Sequence, residues 1–412
     1  MKFSRKIAPE IKLKQNFITK KRLREDEINF EKLRSYRLDR VKKELEKNNL
    51  EACILFDPVN VRYALDSVNM SVYNMHNLTR YCFVPVNGPV ILYEYFNCEN
   101  LSSHLNLIDE IRPAITWDYF SNGDQASSEL KKWINEVLDL SKKYFKSKKI
   151  AIDVLNGPAV TDLNKNGIEV VDAKLILEQA RVIKSPDELI CMKAAIDVAE
   201  IGISKMRSEL RPGMTEDELW SILHKTNIEH GGEWIECRIL SSGQRTNPWM
   251  QESSNKVIQY GEMVGFDTDM VGPYGYCADI SRSFVVDNKF NEEQKKLYLM
   301  AMEQIDYNSK LIKNGMAFEE FVEKSWVLPQ EYYPNRYSVM VHGIGLCDEW
   351  PAIRYPDDGG ERTGVFKKNM TITVESYIGK VKGKEGVKLE QQYLVGENGL
   401  ELMSHHPLED IK

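Results

Sequence analysis

The chain has 412 residues, is 42% hydrophobic and carries a formal net charge of −7. That length and apolar content are enough for a sizeable core in two domains, and the acidic balance argues against a nucleic-acid partner, whose footprint is basic. No apolar run approaches the ~18 residues of a membrane span, no apolar signal segment opens the chain, and seven dispersed Cys suit a reducing compartment, so a cytoplasmic protein without membrane contact is expected.

Residues 1–34 are polar, Lys-rich and aperiodic, and read as an N-terminal arm. A helix is predicted from about Ser35 to Asn49, then strands at 51–56, 81–86 and 90–95, a helix at 128–145 and a strand at 149–155. This alternation predicts an α/β domain over residues 35–182. The second domain, 183–412, begins with a clear helix start. Ser185 caps, Pro186 suits the first helical position, and Glu188 completes a capping box. Leu189, Met192, Ile196, Ala199 and Ile203 then fall on one helical face. Thr215 and Glu218 form a second box, and Gly231-Gly232 ends that helix.

An internal echo follows. Leu210, Gly213-Met214 and Glu218-Leu219 return about a hundred residues later as Ile312, Gly315-Met316 and Glu320-Phe321. After each copy comes a strand, a loop and an acid-bearing strand, carrying Asp267 and Asp269 in one half and Glu375 in the other. Two similar halves facing each other would bring both acid sets to a common centre.

Those acids are the chemically loaded part of the sequence. Asp267 and Asp269 sit in a strand-like run, where residues two apart face one side roughly 6–7 Å apart. Asp279, His342, Glu375 and Glu390 each end or interrupt an apolar stretch, where an unpaired carboxylate is costly. Two divalent cations relieve that cost, because bridging carboxylates hold metals about 3.5–4 Å apart. Oxygen-rich ligation with one imidazole admits Mn, Fe, Co or Zn.

The order and wording of these segments resemble the pita-bread metallohydrolase superfamily, which includes methionine aminopeptidase, prolidase and the metal-free creatinase. The run Leu50–Tyr63 is similar to the N-terminal domain of the creatinase and prolidase branch, so the likeness spans about 35–412. It implies an α/β N-terminal domain plus an α+β pita-bread C-terminal domain with an internal pseudo-two-fold repeat, and a homodimer. It also implies that Asp269, Asp279, His342, Glu375 and Glu390 hold two metals, the superfamily's first Asp falling on Asp269 or Asp267; the narrower likeness given below implies all six.

The chain departs from the superfamily's peptidases at two places. They place a histidine after an Asn-Pro-like turn, where this chain has Trp249, and another seven residues beyond the ligand His, where it has Glu349. Both proton-handling imidazoles of amide hydrolysis are thus missing. The runs Phe266–Arg282 and His342–Pro351 resemble the dimethylsulfoniopropionate (DMSP) lyases of this superfamily. That resemblance implies β-elimination of DMSP to acrylate and dimethyl sulfide, iron as the metal, and Asp348 as general base. A carboxylate among metals and aromatic walls is expected to be desolvated enough for that role. Trp249, Tyr337 and Tyr274 are the expected substrate-binding aromatics, with faces suited to a cationic group. Tyr337 is also expected as a hydrogen-bonding or backup catalytic group, and Arg282 as a partner of a ligand carboxylate. An Xaa-Pro dipeptidase with an altered proton relay is the alternative, and a non-catalytic binding protein a third reading.

Overall fold

The computed structural model describes residues 19–287 and 289–411. Two compact units divide the chain, one over Asn29–Arg181 and the other over Lys20–Ile28 with everything from Val182 onward. Residues 1–18 of the expected arm lie outside the described residues, while 20–28 count with the second unit, where Arg24 Nε donates to Asp197 Oδ2 at 2.6 Å. The first long helix, Phe30–Lys47, starts earlier than the expected Ser35. Asn29 sets that start, its side chain accepting the Lys32 N–H at 3.0 Å.

The first unit holds strands β1 (Ala52–Leu55), β2 (Tyr81–Pro85), β3 (Ile91–Glu94), β4 (Glu110–Pro113), β5 (Lys149–Ile152) and β6 (Glu169–Asp172). They form one sheet in the order β4-β3-β2-β1-β5-β6. Parallel β1–β5 and β5–β6 pairs sit beside an antiparallel β1–β2 pair. Phe56, Tyr81, Trp117 and Trp133 are buried against this sheet. Burying such a side chain contributes about 1.5–3 kcal/mol. β4 and β6 escaped the sequence reading because Glu-Ile-Arg-Pro and Glu-Val-Val-Asp hold only one or two apolar residues beside charged ones and make no apolar run.

Both capping boxes of the second unit form as expected. Ser185 and Glu188 open the helix Pro186–Glu209, and Thr215 and Glu218 open Glu216–Glu229. Met192, Ile196, Ala199 and Ile203 are buried, as their spacing requires. The strands are β7 (Leu240–Ser242), β8 (Met263–Phe266), β9 (Met270–Val271), β10 (Cys277–Ala278), β11 (Arg282–Val285), β12 (Val339–Ile344), β13 (Asp348–Arg354), β14 (Thr371–Ile378), β15 (Val387–Val395) and β16 (Leu400–Leu402). They assemble as β11-β8-β7, β10-β9 and β13-β12-β14-β15-β16.

The internal echo extends to hydrogen bonds. Gly213 N–H donates to the Ile258 carbonyl at 3.0 Å, and Ile258 N–H returns to Met214. In the second copy Gly315 N–H donates to Phe366 at 2.8 Å, and Phe366 N–H returns to Met316. Gly213 and Gly315 share a left-handed backbone, φ 93° and 87°, which only glycine adopts without strain. Nine residues beyond Ile258 and beyond Phe366 come Asp267 and Glu375. The repeat therefore delivers one acid per half at matching positions.

Candidate metal centre

The two halves meet where β11 lies along β15. Glu390 N–H donates to the Ser281 carbonyl at 3.2 Å, and Lys388 N–H to Ser283 Oγ at 3.1 Å. On one side, β8 ends at Phe266 and Asp267 N–H donates to the Ile239 carbonyl. Asp269 then adopts a left-handed backbone, φ 34°. The two acids therefore do not alternate along a regular strand as expected; the chain turns out of the sheet between them. Met270 pairs with Ala278 across β9 and β10, which sets Asp269 and Asp279 at the same end of that ribbon. On the other side, Glu375 and Glu390 face each other directly across β14 and β15. Like charges opposite one another destabilise a sheet unless something neutralises them.

All six predicted ligands converge. Donor atoms within 4.8 Å of one another form three overlapping triads: Asp279–His342–Glu390, Asp267–Asp269–Asp279 and Asp267–Glu375–Glu390. Every member but Asp269 is buried. His342 Nε2 lies 3.3 Å from Asp279 Oδ2, 3.3 Å from Glu375 Oε1 and 3.5 Å from Glu390 Oε1. Its Nδ1 lies 2.9 Å from the Gly343 carbonyl. A proton on Nδ1 donates there and leaves the Nε2 lone pair for a metal.

The electrostatics disfavour five bare carboxylates at this centre. Burial and neighbouring carboxylates push Asp267 up and Asp279 and Asp269 far above the usual carboxylate range, and push Glu375 up to about 8. Burial opposes charge on His342, yet Asp348 and the facing acids hold its pKa well above the ordinary value. Asp279 Oδ1, Glu375 Oε1 and Glu390 Oε1 are buried acceptors without a hydrogen-bond donor. Orphaned acceptors of this kind are expensive unless a cation meets them. The residues fit divalent metals.

Several neighbours differ from expectation. Tyr274 does not face the carboxylates; its hydroxyl donates to the Leu23 carbonyl at 2.8 Å, because its own left-handed backbone, φ 64°, turns it toward residues 20–28. Arg282 bonds carbonyls rather than a ligand carboxylate, reaching Glu390 O at 2.7 Å and His406 O at 2.6 Å. Asp348 lies 3.7 Å from His342 Nδ1, but its side chain is 66% exposed, so the expected desolvation is absent. The cause is its position at the open start of β13. Glu349 is buried and paired with Lys184 Nζ at 2.5 Å. Tyr337 stands beside the cluster, and the Glu375 charge together with burial raises its phenol above the ordinary value. Trp249 packs with Ile239, Tyr377, Cys237 and Tyr337.

Two residues went unread in the sequence. Cys237 donates its thiol hydrogen to Asp269 Oδ2 at 2.7 Å. Lys388 is wholly buried, with Nζ 2.9–3.0 Å from Asp267, Glu375 and Glu390. Strand alternation was the available signal: Lys388 is two residues before Glu390 on β15 and so shares its face.

Residues 190–397 match metallopeptidase family M24. The chain belongs to that family. Two relatives are named dimethylsulfoniopropionate lyase DddP. The one from Roseovarius nubinhibens is 34% identical over 92% of this chain and 87% of its own length. The one from Roseobacter denitrificans is 35% identical over 92% and 86%. An Xaa-Pro dipeptidase of Pyrococcus furiosus is 28% identical over 54% of this chain and 63% of its own. Among solved structures, an Xaa-Pro dipeptidase from Bacillus anthracis superposes with a TM-score of 0.75 at 21% identity, covering 92% of this chain and 99% of that one. The prolidase from Pyrococcus horikoshii gives 0.71 at 20%, covering 90% and 99%. The expected pita-bread architecture is the one this M24 chain adopts.

Proposed function

We propose that the chain is a carbon–sulfur lyase that cleaves DMSP to acrylate and dimethyl sulfide. The carrying observation is 34–35% identity, sustained over 92% of the chain, to two relatives named as such lyases. The places of both peptidase histidines support the same reading. Trp249 is packed in an aromatic cluster and Glu349 is held by Lys184, so neither offers an imidazole to a scissile amide.

Asp267, Asp269, Asp279, His342, Glu375 and Glu390 would hold two divalent cations, iron by resemblance, with Mn, Zn and Co compatible with the same donors. When bound, such cations supply Lewis acidity toward a substrate carboxylate. Asp348 takes the proton from the carbon next to that carboxylate. The freed C–H pair becomes the new C=C π bond, and the C–S pair departs with dimethyl sulfide. Its exposure lets Asp348 pass the proton straight to water. Tyr337, keeping its own proton, would donate a hydrogen bond to the substrate, with Trp249 packed beside it.

The test incubates metal-replete protein with DMSP and follows dimethyl sulfide by gas chromatography and acrylate by NMR. Folded protein that releases neither while hydrolysing a proline dipeptide overturns the proposal. A homodimer belongs to the same reading, in keeping with exposed Phe96, Tyr119 and Phe120 on the first unit, and light scattering checks it. No helix among the described residues is long and apolar enough to cross a membrane.

A further inference from the structure

Three triads of ligand atoms converge in the centre, yet one of them already holds a cation. Lys388 Nζ donates to Asp267 Oδ2 at 3.0 Å, to Glu390 Oε2 at 2.9 Å and to Ser281 Oγ at 2.7 Å, and it lies 2.9 Å from Glu375 Oε2. Its three carboxylate partners are the three members of the Asp267–Glu375–Glu390 triad. The ammonium and a metal ion in this triad would therefore compete for the same three carboxylates.

The surroundings favour the ammonium. Trp249 and Tyr337 present their rings to Nζ, each centroid at 5.5 Å. Ring faces attract an ammonium through their quadrupole but give a divalent metal no lone pair to coordinate. The lysine stem is wholly buried on β15, so the charge cannot swing out into solvent. The two remaining triads, Asp279–His342–Glu390 and Asp267–Asp269–Asp279, have no such occupant among the described residues. Five carboxylates line the centre, and two divalent cations with one ammonium balance them.

We propose that Lys388 is a tethered third cation that occupies the Asp267–Glu375–Glu390 triad and confines divalent metals to the other two. This rests on the metal-binding reading of the six ligands, but not on the identity of the substrate. Lys388 is thus a positioning residue: it fixes how many ions the cage accepts and leaves the loaded cage neutral toward a substrate carboxylate.

The two possible roles of Lys388 predict opposite signs. A fixed cation repels incoming metal, so removing it tightens binding or admits another ion. A side chain that merely organises the carboxylates loosens binding when removed. Full-length protein is stripped with chelator and titrated with Mn2+ by calorimetry, and the bound ion is counted by elemental analysis. Wild type and Lys388→Arg are expected to saturate at two ions per chain. Lys388→Met is expected to take a third, or to bind Mn2+ on the order of tenfold tighter. Should Lys388→Met fail to fold by circular dichroism, Lys388→Gln carries the same readout. Weaker binding, a lost ion or no change in the folded neutral variant overturns the proposal. A wild-type chain that binds no Mn2+ shows failure of the metal reading itself, whereas failure of the Lys388 role appears only as the difference between wild type and variant.

Discussion

At the scale of single residues, the centre assigns distinct work to side chains only a few ångströms apart. Asp348 approaches His342 from the Nδ1 side, while the carboxylate cage gathers at Nε2. An Asp348→Asn variant should therefore keep its metal content and lose activity by about 10²–10⁴-fold, the usual worth of a general base. Parallel dimethyl sulfide release and elemental analysis check this, and a variant that loses metal instead makes Asp348 a ligand. Glu375 sets a pH dependence for the metal-free chain. Burial and the facing Glu390 push it to about 8, against an ordinary 4.5. The folded state then holds this proton more tightly than the unfolded state. The resulting stabilisation is complete below about pH 4.5 and is lost as pH rises through about 8. The gap in Tm between Mn2+-loaded and chelator-treated protein should consequently widen from about pH 5 to about pH 8. A gap that stays constant would remove Glu375 from the cage.

At the scale of elements, the buried pair of Lys184 and Glu349 ties the start of the helix Pro186–Glu209 to β13. Both side chains are nearly inaccessible, at 2% and 1% exposure. Replacing Lys184 by Met takes the ammonium away from the buried Glu349 carboxylate and should cost about 3–5 kcal/mol by urea unfolding. The Lys184→Met, Glu349→Met double variant should recover much of that loss; a double variant as unstable as the single would place the cost elsewhere. Helices of this unit were legible because their information is local. Ser185 with Glu188 and Thr215 with Glu218 announce their own capping boxes, and the apolar spacing from Met192 to Ile203 describes a face. The geometry at Asp267 and Asp269 was not legible. A left-handed Asp269 costs backbone energy that only its neighbours offset, and no pattern in the residues announces it.

At the scale of the whole molecule, the six proposed metal ligands all lie in the second unit, so the stabilisation by bound metal should be felt there. Ligand at about 100 times its Kd contributes roughly 2.7 kcal/mol to the state that binds it. Hydrogen exchange with and without chelator should show protection lost over β8–β11 and β12–β15, with the β1–β6 sheet unchanged. Equal loss in both units would contradict a centre confined to the second.

The capped helices, the repeat and the acids stranded in apolar runs were legible in the sequence by itself, because periodicity and capping are written in neighbouring residues, whereas a ligand role for six of those side chains was implied only by resemblance. Only the tertiary structure decided that Lys388 enters the cage, that Cys237 donates to Asp269, that Tyr274 turns away toward Leu23 and that Asp348 stands in water. Those outcomes depend on which distant segments lie side by side: the Cys237–Asp269, Lys388–Asp267 and Tyr274–Leu23 hydrogen bonds span 32, 121 and 251 residues. A residue's type states what it can bond; the close approach of β11 to β15 and the turn after β8 select the partner.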